Sequence, residues 1–186
     1  MDILERHKVW DGHLKVWRLR IGYADGDEVW REVEHHGDSV SVLPYDPARR
    51  LALTVRLPRA PMLFVGGSGL LEEACAGMID AGETAEAAVR REAMEELGLR
   101  LGDLEPLGRV AQSPGASAQR VNLFLAPWSI GDRIALGGGV AGEDERIEVL
   151  ERPLSDLARD ADVGAIGDLC LFSLVTALRL RRPALF

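Results

Sequence analysis

Gly77–Leu99 reads GMIDAGETAEAAVRREAMEELGL, and the fold of the chain can be worked out from it. Thr84 to Leu97 contains no Gly or Pro and is rich in Ala, Glu, Arg, Met and Leu, so the spacing predicts a short helix. Thr84 suits the N-cap, and Gly98 is placed to close the helix in a left-handed conformation. Ala85, Ala88 and Val89 begin a stripe at helical spacing that Glu92, Glu95 and Glu96 continue, with Ala93 and Leu97 on an adjacent apolar strip. Residues three and four apart are surface neighbours, so these carboxylates repel one another unless a cation sits among them. From spacing alone two readings stand: a solvated acidic face, or a divalent-cation site that breaks the apolar stripe for a functional reason.

The whole chain frames that choice. At 186 residues it can bury a substantial core as one domain, or as one domain with an extension. With 47% hydrophobic and 28% charged residues it has the composition of a globular protein. A net charge of −8 argues against a nucleic-acid backbone or an anionic membrane as partner. Cys75 and Cys170 have no CxxC partner and read as buried thiols in a reducing compartment. The opening MDILERHKVW has no apolar leader core, and Leu169–Leu178 is too short to span a bilayer, so a cytoplasmic protein is expected.

Along the chain, residues 9–42 read as strands, with Leu14–Ile21 and Val29–Val33 joined through Asp25-Gly26. Trp10, Trp17 and Trp30 are more than a small hairpin buries alone, which points to an interface. His35-His36 has no third ligand spaced nearby and reads as a loop. Ser39–Pro44 and Arg50–Leu57 form the next strand pair. Pro61–Leu70 reads as a flexible connection, because Gly66-Gly67-Ser68-Gly69 lacks the Lys and following helix of a phosphate loop. Leu70–Ala76, Leu104–Ala111, Val121–Trp128 and a segment around Ile147 and Val149 read as strands. Gly137-Gly138-Gly139 opens a mobile loop carrying Glu143, Asp144 and Glu145. Pro153 to about Asp160 and Ile166–Arg182 read as helices, the second amphipathic. Many strands with two or three helices predict the α+β class.

Gly77, Glu83, Arg91-Glu92, Glu95-Glu96 and Gly98, with Ala93 and Leu99 at the apolar places, fill every fixed position of the Nudix box. The chain therefore resembles the Nudix hydrolases. Over roughly Ser39 to Leu178 it is most similar to the ADP-ribose pyrophosphatase group and, within it, to the GDP-mannose pyrophosphatase branch. Leu71–Gly77, Ser113-Pro114-Gly115, Gly137–Val140 and Ile147–Glu151 carry that similarity. The resemblance implies the Nudix fold, a mixed central sheet between helices. It also implies an N-terminal β-extension over residues 1–40 that dimerises, with the hydrolase domain over 41–186; from its Trp content the extension is expected to form a homodimer and help build the partner's substrate pocket. It further implies Mg²⁺, for which Mn²⁺ can substitute, held by the Ala76 carbonyl, Glu92 and Glu96, with Glu95 supporting a further ion. Glu83 and Arg91 would form a structural ion pair. Glu145 would complete the metal site or act as base, with Glu143 and Asp144 able to share the task. Arg59, with Arg56 beside it, would contact substrate, as would Gln119 and Asp144.

Two positions depart from the branch: Gln119 stands where it has a substrate-contacting Glu, and Cys170 where it has a Lys. The expected reaction is metal-dependent hydrolysis of the diphosphate of a nucleoside diphosphate sugar, with GDP-mannose giving GMP and mannose 1-phosphate. The alternatives are ADP-ribose or another nucleoside diphosphate derivative, and a non-catalytic nucleotide sensor on the same fold.

Overall fold

The computed structural model describes residues 1–140, 142 and 146–186. The chain forms two compact units, one of Met1–Asp38 with Arg109–Val121, the other of Ser39–Gly108 with Asn122–Phe186. In the first, β1 (Asp2–Asp11), β2 (Lys15–Gly22) and β3 (Glu28–Glu34) make an antiparallel sheet in that order. The β2–β3 turn forms at Asp25-Gly26, where the Asp27 amide donates to the Asp25 carboxylate at 3.1 Å. The strand β1 begins well before residue 9. Its charged residues blur the alternation in the sequence, but Arg20 of β2 bonds both Glu5 of β1 and Glu28 of β3. At the other edge, Glu34 exchanges backbone hydrogen bonds with Ala116 and Ala118 at 2.8 and 2.9 Å.

The second unit holds β4 (Ser39–Asp46), β5 (Leu51–Pro58), α1 (Ala60–Phe64), β6 (Leu70–Glu73), β7 (Cys75–Met78) and α2 (Ala85–Leu97). After α2, β8 (Glu105–Ala111) starts in this unit and ends in the first, and β9 (Arg120–Pro127) starts in the first and ends in this one. The chain closes with β10 (Glu148–Pro153), α3 (Leu154–Asp162) and α4 (Leu169–Arg181). The sheet order is β10-β5-β4-β9-β8, with β6 on β5 and β7 on β4. Every residue of β4 is buried, because both faces of the strand are covered. Val40 and Val42 join a core with Ala88, Val89, Ala93 and Leu97 of α2. On the opposite face Ser41 and Tyr45 are buried, and the Arg182 guanidinium lies 5.4 Å from the Tyr45 ring. The α+β class and the sheet between helices are as the sequence predicts.

Three local expectations change. Residues 60–64 form a helical turn rather than a loop, since Pro61 at its start fixes a helical φ and Met62, Leu63 and Phe64 can follow it. The single strand expected over Leu70–Ala76 is two strands broken at Ala74, because β6 pairs with β5 and β7 with β4. The Ala74 amide, out of the ladder, donates at 3.4 Å to Asp168, whose carboxylate also caps α4 through Cys170 and Leu171. Burial pushes the Asp168 carboxyl up. The helix α4 starts at Leu169 and is apolar on more than one side, with Leu169, Phe172 and Leu180 exposed.

At the end of α4, Arg181 and Arg182 both donate to Glu105 of β8. Arg182, then Arg181, holds the Glu105 carboxyl below its ordinary value of 4.5. A lowered carboxyl contributes stability above the unfolded value, and that stability is lost as pH falls through the folded one. These side chains are a quarter to a half exposed, so solvent limits the contribution to about 1 kcal/mol at most. Glu105→Gln is expected to lower Tm at pH 7 by roughly 2–4 °C, with a smaller deficit at pH 3. Thermal melts at the two pH values check this, and an equal deficit at both would contradict it.

Candidate active site on helix α2

The acidic helix is capped as its sequence predicts. The Thr84 hydroxyl accepts the Ala87 amide at 3.1 Å, and Gly98, left-handed at φ 68°, closes the other end. Ala88, Val89, Ala93 and Leu97 bury one face against β4, β5 and β7. Packing of that strip turns Glu92 and Glu96 toward β7. A Cβ on Gly77 would lie 1.9 Å from the Glu92 carboxyl, so only bare backbone fits beneath it. Glu96 is 5% exposed, and its Oε2 accepts the Ala76 amide at 3.2 Å. Cys75, next to Ala76 on β7, is wholly buried. Burial, and next the Glu96 charge, pushes that thiol well up, so it keeps its proton.

Arg91 organises the rest of the cluster. It donates to both Glu83 oxygens at 3.2 and 3.1 Å, to Glu92 at 2.7 Å, to Glu95 at 3.0 Å and to the Met78 carbonyl at 2.9 Å. The Glu83–Arg91 pair therefore ties the β7–α2 loop to the helix. Arg91, together with the Asp80 amide, holds the Glu83 carboxyl below its ordinary value. These carboxylates in turn raise Arg91, with Glu83 contributing most. Arg91 also offsets part of the repulsion that the spacing predicts between Glu92 and Glu95. Among the described residues no three His, Cys, Asp or Glu side chains gather as a ready-made cation cage.

Sequence reading alone did not find the backbone that closes this helix. Gly138 and Gly139 donate amides to the carbonyls of Glu96 and Glu95 at 2.8 and 3.0 Å. A Cβ on Gly137 would lie 2.3 Å from the Glu96 carbonyl. What reads in the sequence as the opening of a mobile loop is thus bonded to the last turn of α2, beside the acids. The triple glycine was the available signal, since such close backbone approach excludes side chains.

The other predicted residues that the structure describes have contacts of their own. Arg59 makes a two-pronged ion pair with Glu73 at 2.6 and 2.8 Å, and Arg56 meets Glu148 at 3.3 Å. Gln119 belongs to the first unit, where its side-chain amide lies 3.4 Å from His36. Cys170 is buried, and burial pushes its thiol up to about 12, so it is an uncharged group at the position of the branch's Lys. Glu143, Asp144 and Glu145 lie outside the described residues.

The donor set can be tested against a metal. Glu92, Glu95 and Glu96 offer only oxygen, the ligand type of hard divalent cations. Two of them stand over β7, one above a glycine that leaves room for its carboxylate. The residues present fit such an ion.

The NUDIX domain pattern matches residues 35–152. A GDP-mannose pyrophosphatase of Pectobacterium atrosepticum is 40% identical over 173 residues, covering 90% of this chain and 88% of its own. That of Cronobacter sakazakii is 37% identical over 152 residues, covering 81% and 78%. A crystal structure of an ADP compounds hydrolase superimposes with a TM-score of 0.76 at 19% identity, over 98% of this chain and 94% of its own. The chain belongs to the NUDIX family. It is a hydrolase acting on pyrophosphate bonds, in a family that generally uses divalent metals.

Proposed function

We propose that this protein hydrolyses the diphosphate of a nucleoside diphosphate sugar with Mg²⁺, and that GDP-mannose is converted to GMP and mannose 1-phosphate. The supporting observation is the set of α2 carboxylates seated on β7, in a chain 40% identical to a GDP-mannose pyrophosphatase over most of its length. Glu92, Glu96 and the Ala76 carbonyl would hold the ion, with Glu95 supporting a second. When bound there, a divalent cation supplies charge stabilisation on the phosphate oxygens and a more acidic water. Arg59, already aligned by Glu73, is assigned to the diphosphate, and Arg56 to its neighbourhood. Glu145, with Glu143 and Asp144 beside it in sequence, is assigned the proton of the attacking water. Water oxygen bonds to phosphorus, the P–O–P bond breaks, and each product leaves as a phosphate ester.

Hydrolysis in ¹⁸O-labelled water tests the bond. Label on a phosphate of GMP or mannose 1-phosphate is expected, along with loss of turnover in EDTA and recovery with Mg²⁺. Label on the sugar carbon would mean glycosidic cleavage and overturn the reading, and inactivity on a wide nucleotide panel would favour a sensor. The buried, uncharged Cys170 favours a second substrate reading, in which ADP-ribose or another nucleoside diphosphate derivative is preferred. Comparing kcat/KM for GDP-mannose and ADP-ribose separates the two.

The same reading makes the protein a homodimer through the N-terminal sheet. Ile3, Leu4, Val9, Trp10, Leu14 and Trp30 are exposed there, Trp10 at 62%. A second copy covering them would remove a large apolar surface from water. Trp10→Glu with Val9→Lys is expected to shift light-scattering mass from dimer to monomer. A parent protein that is monomeric at micromolar concentration would refute the dimer.

A further inference from the structure

In the first unit a bridge between Glu34 and Ser117 sets two segments side by side and parallel. The backbone bonds of Glu34 to Ala116 and Ala118 hold that register. Parallel segments advance together, and side chains two residues apart return to the same face. Two residues beyond the bridge stand His36 on one segment and Gln119 on the other. Their side chains meet nitrogen to nitrogen, with Gln119 Nε2 at 3.4 Å from His36 Nε2. The far side of the ring is held as well. His36 Nδ1 bonds the Glu34 carboxylate, and the His13 ring centroid lies 6.0 Å away. The His36 side chain is mostly buried, at 17% exposure.

Those contacts assign the protons. A carboxylate only accepts, so Nδ1 carries the N–H that it donates to Glu34. In the neutral ring Nε2 then holds a lone pair, and Gln119 donates an amide N–H to it. A ring with protons on both nitrogens would set N–H against N–H, and the amide would have to turn over. We propose that His36 is a positioning residue for Gln119, taking its N–H so that the amide carbonyl oxygen turns away from the ring and serves the substrate as an acceptor. That is the role the resemblance implies for a Glu at this place. The inference rests on the reading that Gln119 contacts substrate. It deepens that reading, because an oriented Gln still suits a base or sugar that presents N–H or O–H donors there, as a GDP-mannose-type substrate does.

Kinetics on GDP-mannose with Mg²⁺ and ¹⁵N NMR of the histidine rings, both on the full chain, test it. The His36 ring is expected to carry its proton on Nδ1 and none on Nε2. His36→Ala should raise KM about 3–10-fold, the scale of one neutral hydrogen bond, with kcat within about twofold of the parent. His36→Gln, whose carbonyl oxygen can accept the same N–H, should bring KM back to within about twofold. A parent ring protonated at Nε2 overturns the inference, as does a folded His36→Ala with the parental KM. Should His36→Ala fail to fold, a folded His36→Gln whose KM rises as far as that of Gln119→Ala overturns it equally. Gln119→Ala separates the readings. If it raises KM while His36→Ala does not, only the role of His36 fails. If it too keeps the parental KM, the substrate contact of Gln119 fails and the inference with it, while hydrolysis of the diphosphate stands. A parent that hydrolyses no nucleoside diphosphate derivative overturns the proposed function, and the ring tautomer then decides the His36–Gln119 contact alone.

Discussion

Glu92→Gln and Glu96→Gln are each expected to lower kcat by about 10²–10³-fold, the scale of losing one preorganised element of charge stabilisation. The fold should survive both changes. Glu92 is bonded to Arg91, and Gln keeps an oxygen for that guanidinium. Glu96 is a carboxylate at 5% exposure held by a neutral donor, the Ala76 amide. Neutralising it removes a buried charge, so Tm without metal should be unchanged or higher. Steady-state kinetics over a Mg²⁺ series, with thermal melts in EDTA, measure both sides. Near-parental kcat at saturating Mg²⁺ in either variant would show that α2 does not carry the ion.

Gly77→Ala should separate activity from stability in a different way. A methyl group there would lie 1.9 Å from the carboxyl carbon and Oε1 of Glu92 and 2.4 Å from its Oε2. What it meets is the far end of a flexible side chain, which can swing aside, so Tm should fall by only a few degrees. The swing moves a site carboxylate by more than an ångström, and displacements of that size cost about 10²-fold in rate. The expected result is a folded protein with kcat down about 100-fold. Full activity in Gly77→Ala would mean that Glu92 works from another position.

Much of the local structure of both units could be read from its residues. Thr84 and Gly98 mark the ends of α2, and the Asp25-Gly26 turn marks the β2–β3 hairpin, because caps and turns depend on neighbours in sequence. The strand β1 was missed because its stabilising partners are cross-strand charges, such as Glu5 with Arg20, which look like ordinary surface residues in one dimension. The split of β6 from β7 at Ala74 was missed for a related reason. It depends on which strand each half pairs with, and on Asp168 arriving from α4 to take the freed amide.

By itself the sequence determined that a capped helix would carry Glu92, Glu95 and Glu96 along one side. Those relations span a few turns and follow from helical pitch and local propensity. Only the tertiary structure decided what those acids face. The Ala76 amide reaches Glu96 because β7 is held in register by β4. The amides of Gly138 and Gly139 reach α2 from some forty residues away in the chain. Such contacts use backbone atoms and the absence of side chains, which every residue type supplies or conceals alike. No pattern of residue types could have placed them before the sheet brought them together.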